Sequence, residues 1–249
     1  MPLREYPIFE SDISPKRAGL FKRLFRFIMR LTLLVVVLFF ATLLVFRWAP
    51  IPTSAFIYKQ NALATDKPKI YEPASYTWVD WDDISPNLAI AVIAAEDQRF
   101  SKHWGVDTVE IQNALIESGG KRPRGASTIT QQVAKNLFLW NGRSYLRKLV
   151  ELGLSFSLEL VWSKQRILEV YLNIAQFGDA IYGAQEASLQ LFDKKPSELT
   201  REEAALLASV LPKPAVSDVN DPHPHLLKKQ QWVLKQMKQL GGTSYLRNL

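Results

Sequence analysis

The strongest constraint on this chain is an uncharged run, "LTLLVVVLFFATLLVF", from Leu31 to Phe46, which extends backwards through Phe27, Ile28 and Met29. Counted from Phe27, about 20 residues rising ~1.5 Å each match a hydrocarbon layer of ~30 Å. Arg17, Lys22, Arg23, Arg26 and Arg30 precede it. A cleaved signal peptide has a shorter apolar region that ends in small residues, whereas "FRWAPIPTS" follows here. A buried core helix leaves the basic flank unexplained. The run reads as a single transmembrane anchor over 27–47. Because the Lys/Arg excess lies before it, residues 1–26 form a cytoplasmic basic tail, and everything after Arg47 emerges on the far side.

Residues 48–84 are rich in Pro, aromatics and Ser/Thr without a helical period, which predicts an extended linker with a short strand near "SYTWVDW". From residue 85 to 249 the punctuation is helical. Ser85-Pro86 reads as an N-cap followed by proline at the first helical position, and Gly105 follows a helix end. Asp107 with Glu110, Thr128 with Gln131 and Thr200 with Glu203 have capping-box spacing. Further helices are expected over 145–162, 164–174, 182–192, 201–211 and 226–240, the last closed by Gly241-Gly242. The fold class is mainly α.

A net charge of +7 favours an anionic partner: nucleic acid, phospholipid headgroups or a phosphorylated substrate. Placing the domain beyond the membrane argues against nucleic acid. The absence of cysteine removes thiolate metal sites and thiol nucleophiles, and only three histidines, two of them (His223 and His225) in a Pro-rich stretch, argue against a histidine-built metal site.

The stretch "NLAIAVIAAEDQRF" is apolar on every side from Leu88 to Ala95, which predicts a buried helix. Glu96 then falls in its last turn, where lost hydration and the helix's C-terminal partial charge disfavour ionisation and favour a raised pKa. That suits a general base or acid. Pairing of Glu96 or Asp97 with Arg99 or Lys102, or plain exposure at the helix end, explains the same residues.

The wider order of motifs is more specific. "EDQRFSKHWGVD" (96–107), "GASTITQQVAKNLF" (125–138), "RKLVE" (147–151), "ILEVYLNIAQFG" (167–178) and "EEAALLASVLPKP" (202–214) occur in sequence. Together they resemble the five motifs of the peptidoglycan glycosyltransferases, over about Ile57 to Pro214, with His223 onward outside the resemblance. The resemblance implies a lysozyme-like helical glycosyltransferase domain behind the anchor. It also implies polymerisation of lipid II into β-1,4 glycan with inversion and release of undecaprenyl pyrophosphate, at the periplasmic face of a bacterial inner membrane. Expected partners are lipid II, the nascent strand, membrane lipid and cell-wall synthesis proteins.

Carried over residue by residue, Glu96 takes the general-base position and Glu151 that of the second functional carboxylate. Lys135 and Arg143 match pyrophosphate-binding positions. Asp97, Gly125, Ser127, Thr130, Gln131, Gln132 and Arg147 match the substrate-binding set. The basic loop "GGKRPRGASTITQQ" leads into a helix start at Thr128, where free backbone N–H groups would receive phosphate oxygens. His103 and Phe100 are assigned to scaffolding, Tyr171, Asn173 and Gly178 to support of the cleft. No dedicated metal-ligand cluster is visible; a divalent cation, Mg or Mn, at the pyrophosphate is the one cofactor allowed.

The nearest enzymatic rival is a lysozyme-like lytic enzyme, which must protonate a poor sugar leaving group rather than hold two phosphates. Ser118 and Lys121 have the spacing of a penicillin-sensitive Ser-x-x-Lys, but S-D-N and K-T-G elements are missing. A membrane-anchored, non-catalytic cell-wall scaffold is the remaining alternative.

Overall fold

A computed structural model describes residues 16–120, 125–142 and 144–249, and the chain divides into two units, Met1–Thr42 and Leu43–Leu249. The first unit is dominated by helix α1 (Lys16–Val45), which continues into the start of the second. Its stretch Phe21–Val45 has a mean hydropathy of 2.6 over 25 residues, long and apolar enough to cross a membrane. Its side chains are largely bare, as a segment solvated by lipid requires.

The second unit contains α2 (Ala55–Asp66), α3 (Pro86–Glu96), α4 (Thr108–Ser118), α5 (Ile129–Phe138), α6 (Tyr145–Val161), α7 (Lys164–Ile174), α8 (Gly183–Phe192), α9 (Arg201–Val210) and α10 (Pro224–Gln239). A two-stranded parallel ribbon pairs β1 (Ser75–Tyr76) with β2 (Ile181–Tyr182). The mainly helical class expected from the sequence is what folds.

The core is organised around α3, in which Leu88, Ile90, Ala91, Val92, Ile93 and Ala94 are 0 % exposed. Burying each large aliphatic side chain there contributes roughly 1.5–3 kcal/mol. Helices α9 and α10 and the C-terminal 3₁₀ segment Gly242–Asn248 surround α3, while α5 packs on α6 and α7. The C-terminal basic helix thus lies on the domain, seated by buried Leu226, Val233 and Met237. Thr128 and Thr200 form complete capping boxes, whereas Asp107 makes half of one by accepting from the Glu110 N–H at 3.0 Å.

The stretch expected to be an extended linker instead contains α2. Ser54 caps it by accepting from the Ile57 N–H, and only Ile57 and Ala64 are buried. Two contacts two turns apart are too sparse a stripe to register as a period. The linker is then fastened across long sequence distances. Asn173 accepts from the Val79 N–H and donates to the Val79 carbonyl, both at 2.8 Å. Arg166 donates to the Phe46 carbonyl, pairs with Glu169 at 2.7 Å and lies over the Trp78 ring.

Candidate active site

Helix α3 ends at Glu96 because Asp97 leaves helical geometry while its N–H still bonds the Ile93 carbonyl. The Glu96 side chain is half-buried rather than enclosed. Gln132 of α5 donates from Nε2 to Glu96 Oε2 at 2.8 Å, and Tyr171 of α7 donates its hydroxyl to Gln132 Oε1 at 3.1 Å. Burial, reinforced by Glu96 and then Asp97, pushes the Tyr171 phenol well above its ordinary range. It therefore remains a neutral donor, which fixes the orientation of the Gln132 amide. This chain aims one carboxylate oxygen. Gln132→Leu is expected to lower turnover by about 10- to 100-fold with little change in KM, since small misplacement of a reacting group is expensive; steady-state rates of the purified variant check this.

Two lysines face Glu96 electrostatically. Lys135 of α5 has a pKa lowered first by burial, with Glu151 opposing, Arg147 and Lys148 adding, and Glu96 opposing. Lys229 of α10 is likewise lowered by burial and opposed by Glu96. The carboxylate at the end of the greasy helix is thus surrounded by an amide donor and cations, where the sequence suggested an apolar setting.

Asp97, expected among the substrate-binding residues, lines the space beside Glu96 and is also tied to its neighbours. It is 7 % exposed, and its carboxylate oxygens lie 2.9 and 3.0 Å from His103 Nε2, while Oδ2 also accepts the Ile129 N–H at 3.0 Å. The acid therefore occupies the start of α5, complementing its positive end. Gln131 N–H is taken by Thr128 Oγ1, so two N–H groups of the expected phosphate cradle at this helix start, those of Ile129 and Gln131, are engaged by the protein's own side chains. Thr130 and Gln131 are also buried: Thr130 donates to Glu159 at 2.7 Å, and Gln131 completes the capping box. They build the wall without presenting side chains to the cleft. His103 serves as scaffold, as the sequence suggested.

The cations gather on α5 and α6. Glu151 is 3 % exposed, paired with Arg147 at 2.7 Å and with Lys148. Both Glu151 oxygens are thus engaged by basic side chains. Lys148 also donates to Ser127 Oγ at 3.3 Å, tying the cluster to the segment before α5. Lys135 lies over the Phe56 ring of α2. Arg143 lies outside the described residues, as do residues 121–124 of the basic loop.

A cavity of about 770 Å³ opens beside Glu96, walled by Gln98 and Gln132, by α4 through Asn113, by Gly125 and Ser127, and by Lys229 and Trp232 of α10. Lys135, Arg147 and Lys148 are not part of its lining. Glu96 thus stands between a polar cavity and a cationic cluster.

Among the described residues, one group of donors is close enough to share an ion: Asp97, His103 and Asp107, within 4.8 Å of one another. These residues do not fit an ion cage. Asp97 serves His103 and Ile129, while Asp107 accepts from the Glu110 N–H and pairs with Arg99 at 3.0 Å.

The sequence reading passed over Lys148, Lys229, Trp232 and Tyr245. Lys148 was visible in "RKLVE", three residues before Glu151. Tyr245, whose hydroxyl accepts from the Ser101 N–H at 3.1 Å and steadies the loop after Glu96, had no local signal, being 144 residues away.

Comparison with known proteins agrees with this architecture. The sequence profile of the Transglycosylase family matches residues 64–238, reaching through most of α10 and so beyond the limit suggested by the motifs alone. The chain is 47 % identical over 235 residues to a protein named biosynthetic peptidoglycan transglycosylase from Cronobacter sakazakii, covering 94 % of this chain and 98 % of that one. It is 46 % identical over 237 residues to the protein of that name from Escherichia coli strain K12 / DH10B, with the same coverage.

Proposed function

This chain belongs to the transglycosylase family and is a peptidoglycan glycosyltransferase, and from that premise we propose that it joins lipid II to a growing glycan strand with Glu96 as general base. Glu96 accepts the proton of the acceptor's 4-hydroxyl. That oxygen attacks the anomeric carbon of the donor strand, the bond from that carbon to phosphate oxygen breaks, and lipid pyrophosphate departs with the bonding pair. Attack opposite the leaving group turns an α-linked phosphate into a β-1,4 glycoside. The observation that carries this reading is the placement of Glu96 between a sugar-sized cavity and a cationic cluster.

Lys135, Arg147 and Lys148 meet the negative charge that develops on the pyrophosphate, with Glu151 holding the last two in place. Arg143 is assigned to the same task from its motif. A divalent ion, if the reaction uses one, would travel with the pyrophosphate, because the Asp97 and Asp107 carboxylates already serve His103, the Ile129 and Glu110 N–H groups and Arg99. The basic residues at the start of α1, ahead of its apolar span, orient the N-terminus to the cytoplasm and the catalytic unit to the periplasmic face of the inner membrane.

The test is incubation of the purified full chain in detergent with labelled lipid II. The expected product is a polymer ladder, digested by lysozyme and unaffected by penicillin. Shortening of pre-made glycan without polymer would favour a lytic enzyme, and neither activity would favour a scaffold.

A pH profile tests the cation cluster. Deprotonation of Lys135 removes the charge that meets pyrophosphate, and its pKa is lowered by burial. The alkaline limb of kcat/KM is therefore expected below the ordinary lysine range. Lys135→Arg should move that limb upward, because guanidinium stays charged; an unmoved limb assigns it to another group.

A further inference from the structure

Helix α10 does more than cover the core. Its buried face, Leu226, Val233 and Met237, seats it on the domain, whereas Lys229 and Trp232, three residues apart on another face, line the cavity beside Glu96. Trp232 is 44 % exposed. A broad indole left partly bare, the one aromatic ring in a lining that mixes amides, carboxylates, hydroxyls and cations with small Ala95, Ala126 and Pro212, contributes little to seating the helix. It offers a flat apolar surface beside the polar side chains of Glu96, Gln98, Asn113 and Gln132.

A pyranose has matching chemistry: a face of C–H groups that stacks on an aromatic ring, and an edge of hydroxyls that needs hydrogen-bonding partners. A volume of about 770 Å³ suits a ligand of several rings. The direction of the reaction decides which sugar sits there. The leaving pyrophosphate belongs at the cationic cluster, which is not part of this cavity, and the nucleophile enters from the opposite side. Resting on the assignment of Glu96 as base, we propose that Trp232 is the stacking platform for the acceptor saccharide, holding the ring whose hydroxyl is presented to Glu96.

The test measures polymerisation rates against lipid II concentration for full-length wild type, Trp232→Ala, Trp232→Leu and Trp232→Phe in detergent. Alanine and leucine are expected to raise KM about tenfold, or about 1.4 kcal/mol, near the upper end for an aromatic contact. Turnover should stay within about threefold, and phenylalanine, keeping an aromatic face, should stay close to wild type. A purely structural role would instead lower the melting temperature and active fraction without separating leucine from phenylalanine. An unchanged KM in Trp232→Ala, or leucine performing as well as phenylalanine, overturns the proposal.

A second measurement is independent of turnover. Saturation-transfer NMR with a soluble glycan tetrasaccharide should show ring C–H contacts with wild type and Glu96→Gln, and should lose them in Trp232→Ala. No contact with wild type, or contact retained by Trp232→Ala, also overturns the platform. If Glu96→Gln polymerises normally while Trp232→Ala loses the contact, the base assignment fails and the platform stands.

Discussion

Gly183→Ala is expected to remove a large part of the stability of the fold, the largest effect of a Gly→Ala change among the described glycines. Gly183 opens α8 with φ +83°, and a Cβ there would lie 2.3 Å from the Asn173 carbonyl oxygen and 3.1 Å from its carbon. Both atoms are backbone of α7, so no side chain can swing aside. The left-handed backbone alone costs about 1–2 kcal/mol for a residue with a Cβ. Parting α7 from α8 also disturbs Asn173, which is 0 % exposed and holds Val79 with two hydrogen bonds. A total near 4 kcal/mol or more falls in the range reserved for severe lesions, against a usual reserve of about 5–15 kcal/mol. Thermal unfolding checks it, with Gly153→Ala as control, because a Cβ at Gly153 in α6 meets nothing within 4 Å. The control should match or slightly exceed wild type. A Gly183→Ala melting point within two or three degrees of wild type, on the order expected for under ~1 kcal/mol, would contradict the packing described.

The second large effect is chemical. Glu96→Gln keeps the size of the side chain and leaves an oxygen able to accept from Gln132 Nε2, so α3, α5 and the cavity should persist. What it removes is the proton acceptor. General base catalysis contributes about 10²–10⁴-fold, and a fall in turnover of about 10³-fold with KM little changed is expected. Glu96→Asp retains a carboxylate but withdraws it by one methylene, and a displacement of that order costs about 10²-fold. The order wild type, Asp, Gln separates a positioned base from a carboxylate that only balances the charges of Lys135 and Lys229.

Local pattern made much of this legible. The unbroken apolar run of α3 announced a buried helix, Thr128 and Thr200 announced their capping boxes, and the ordered motifs placed Glu96, Gln132, Lys135, Arg147 and Glu151 in one region before any geometry was known. Three kinds of information were hidden. Thr130 and Gln131 match substrate motifs, yet burial turns their side chains inward, while Asp97 lines the cavity and also holds the start of α5, because motif spacing does not say which side of a helix start faces the cleft. Asn173, Arg166 and Gly183 act on backbone roughly 10 to over 100 residues away, a reach that no local periodicity encodes. Lys229 and Trp232 lie on a helix beyond the five motifs, so their place in the cavity depended on how α10 is seated against α3 and α9.

The most direct measurement incubates equal amounts of folded wild type and Glu96→Gln in detergent with labelled lipid II and resolves the products on a gel, with substrate binding measured on the same preparations. A lysozyme-sensitive ladder from wild type alone, with binding retained by Glu96→Gln, is the result predicted for a base poised between the acceptor sugar and the pyrophosphate cluster. Equal ladders from both proteins would contradict it.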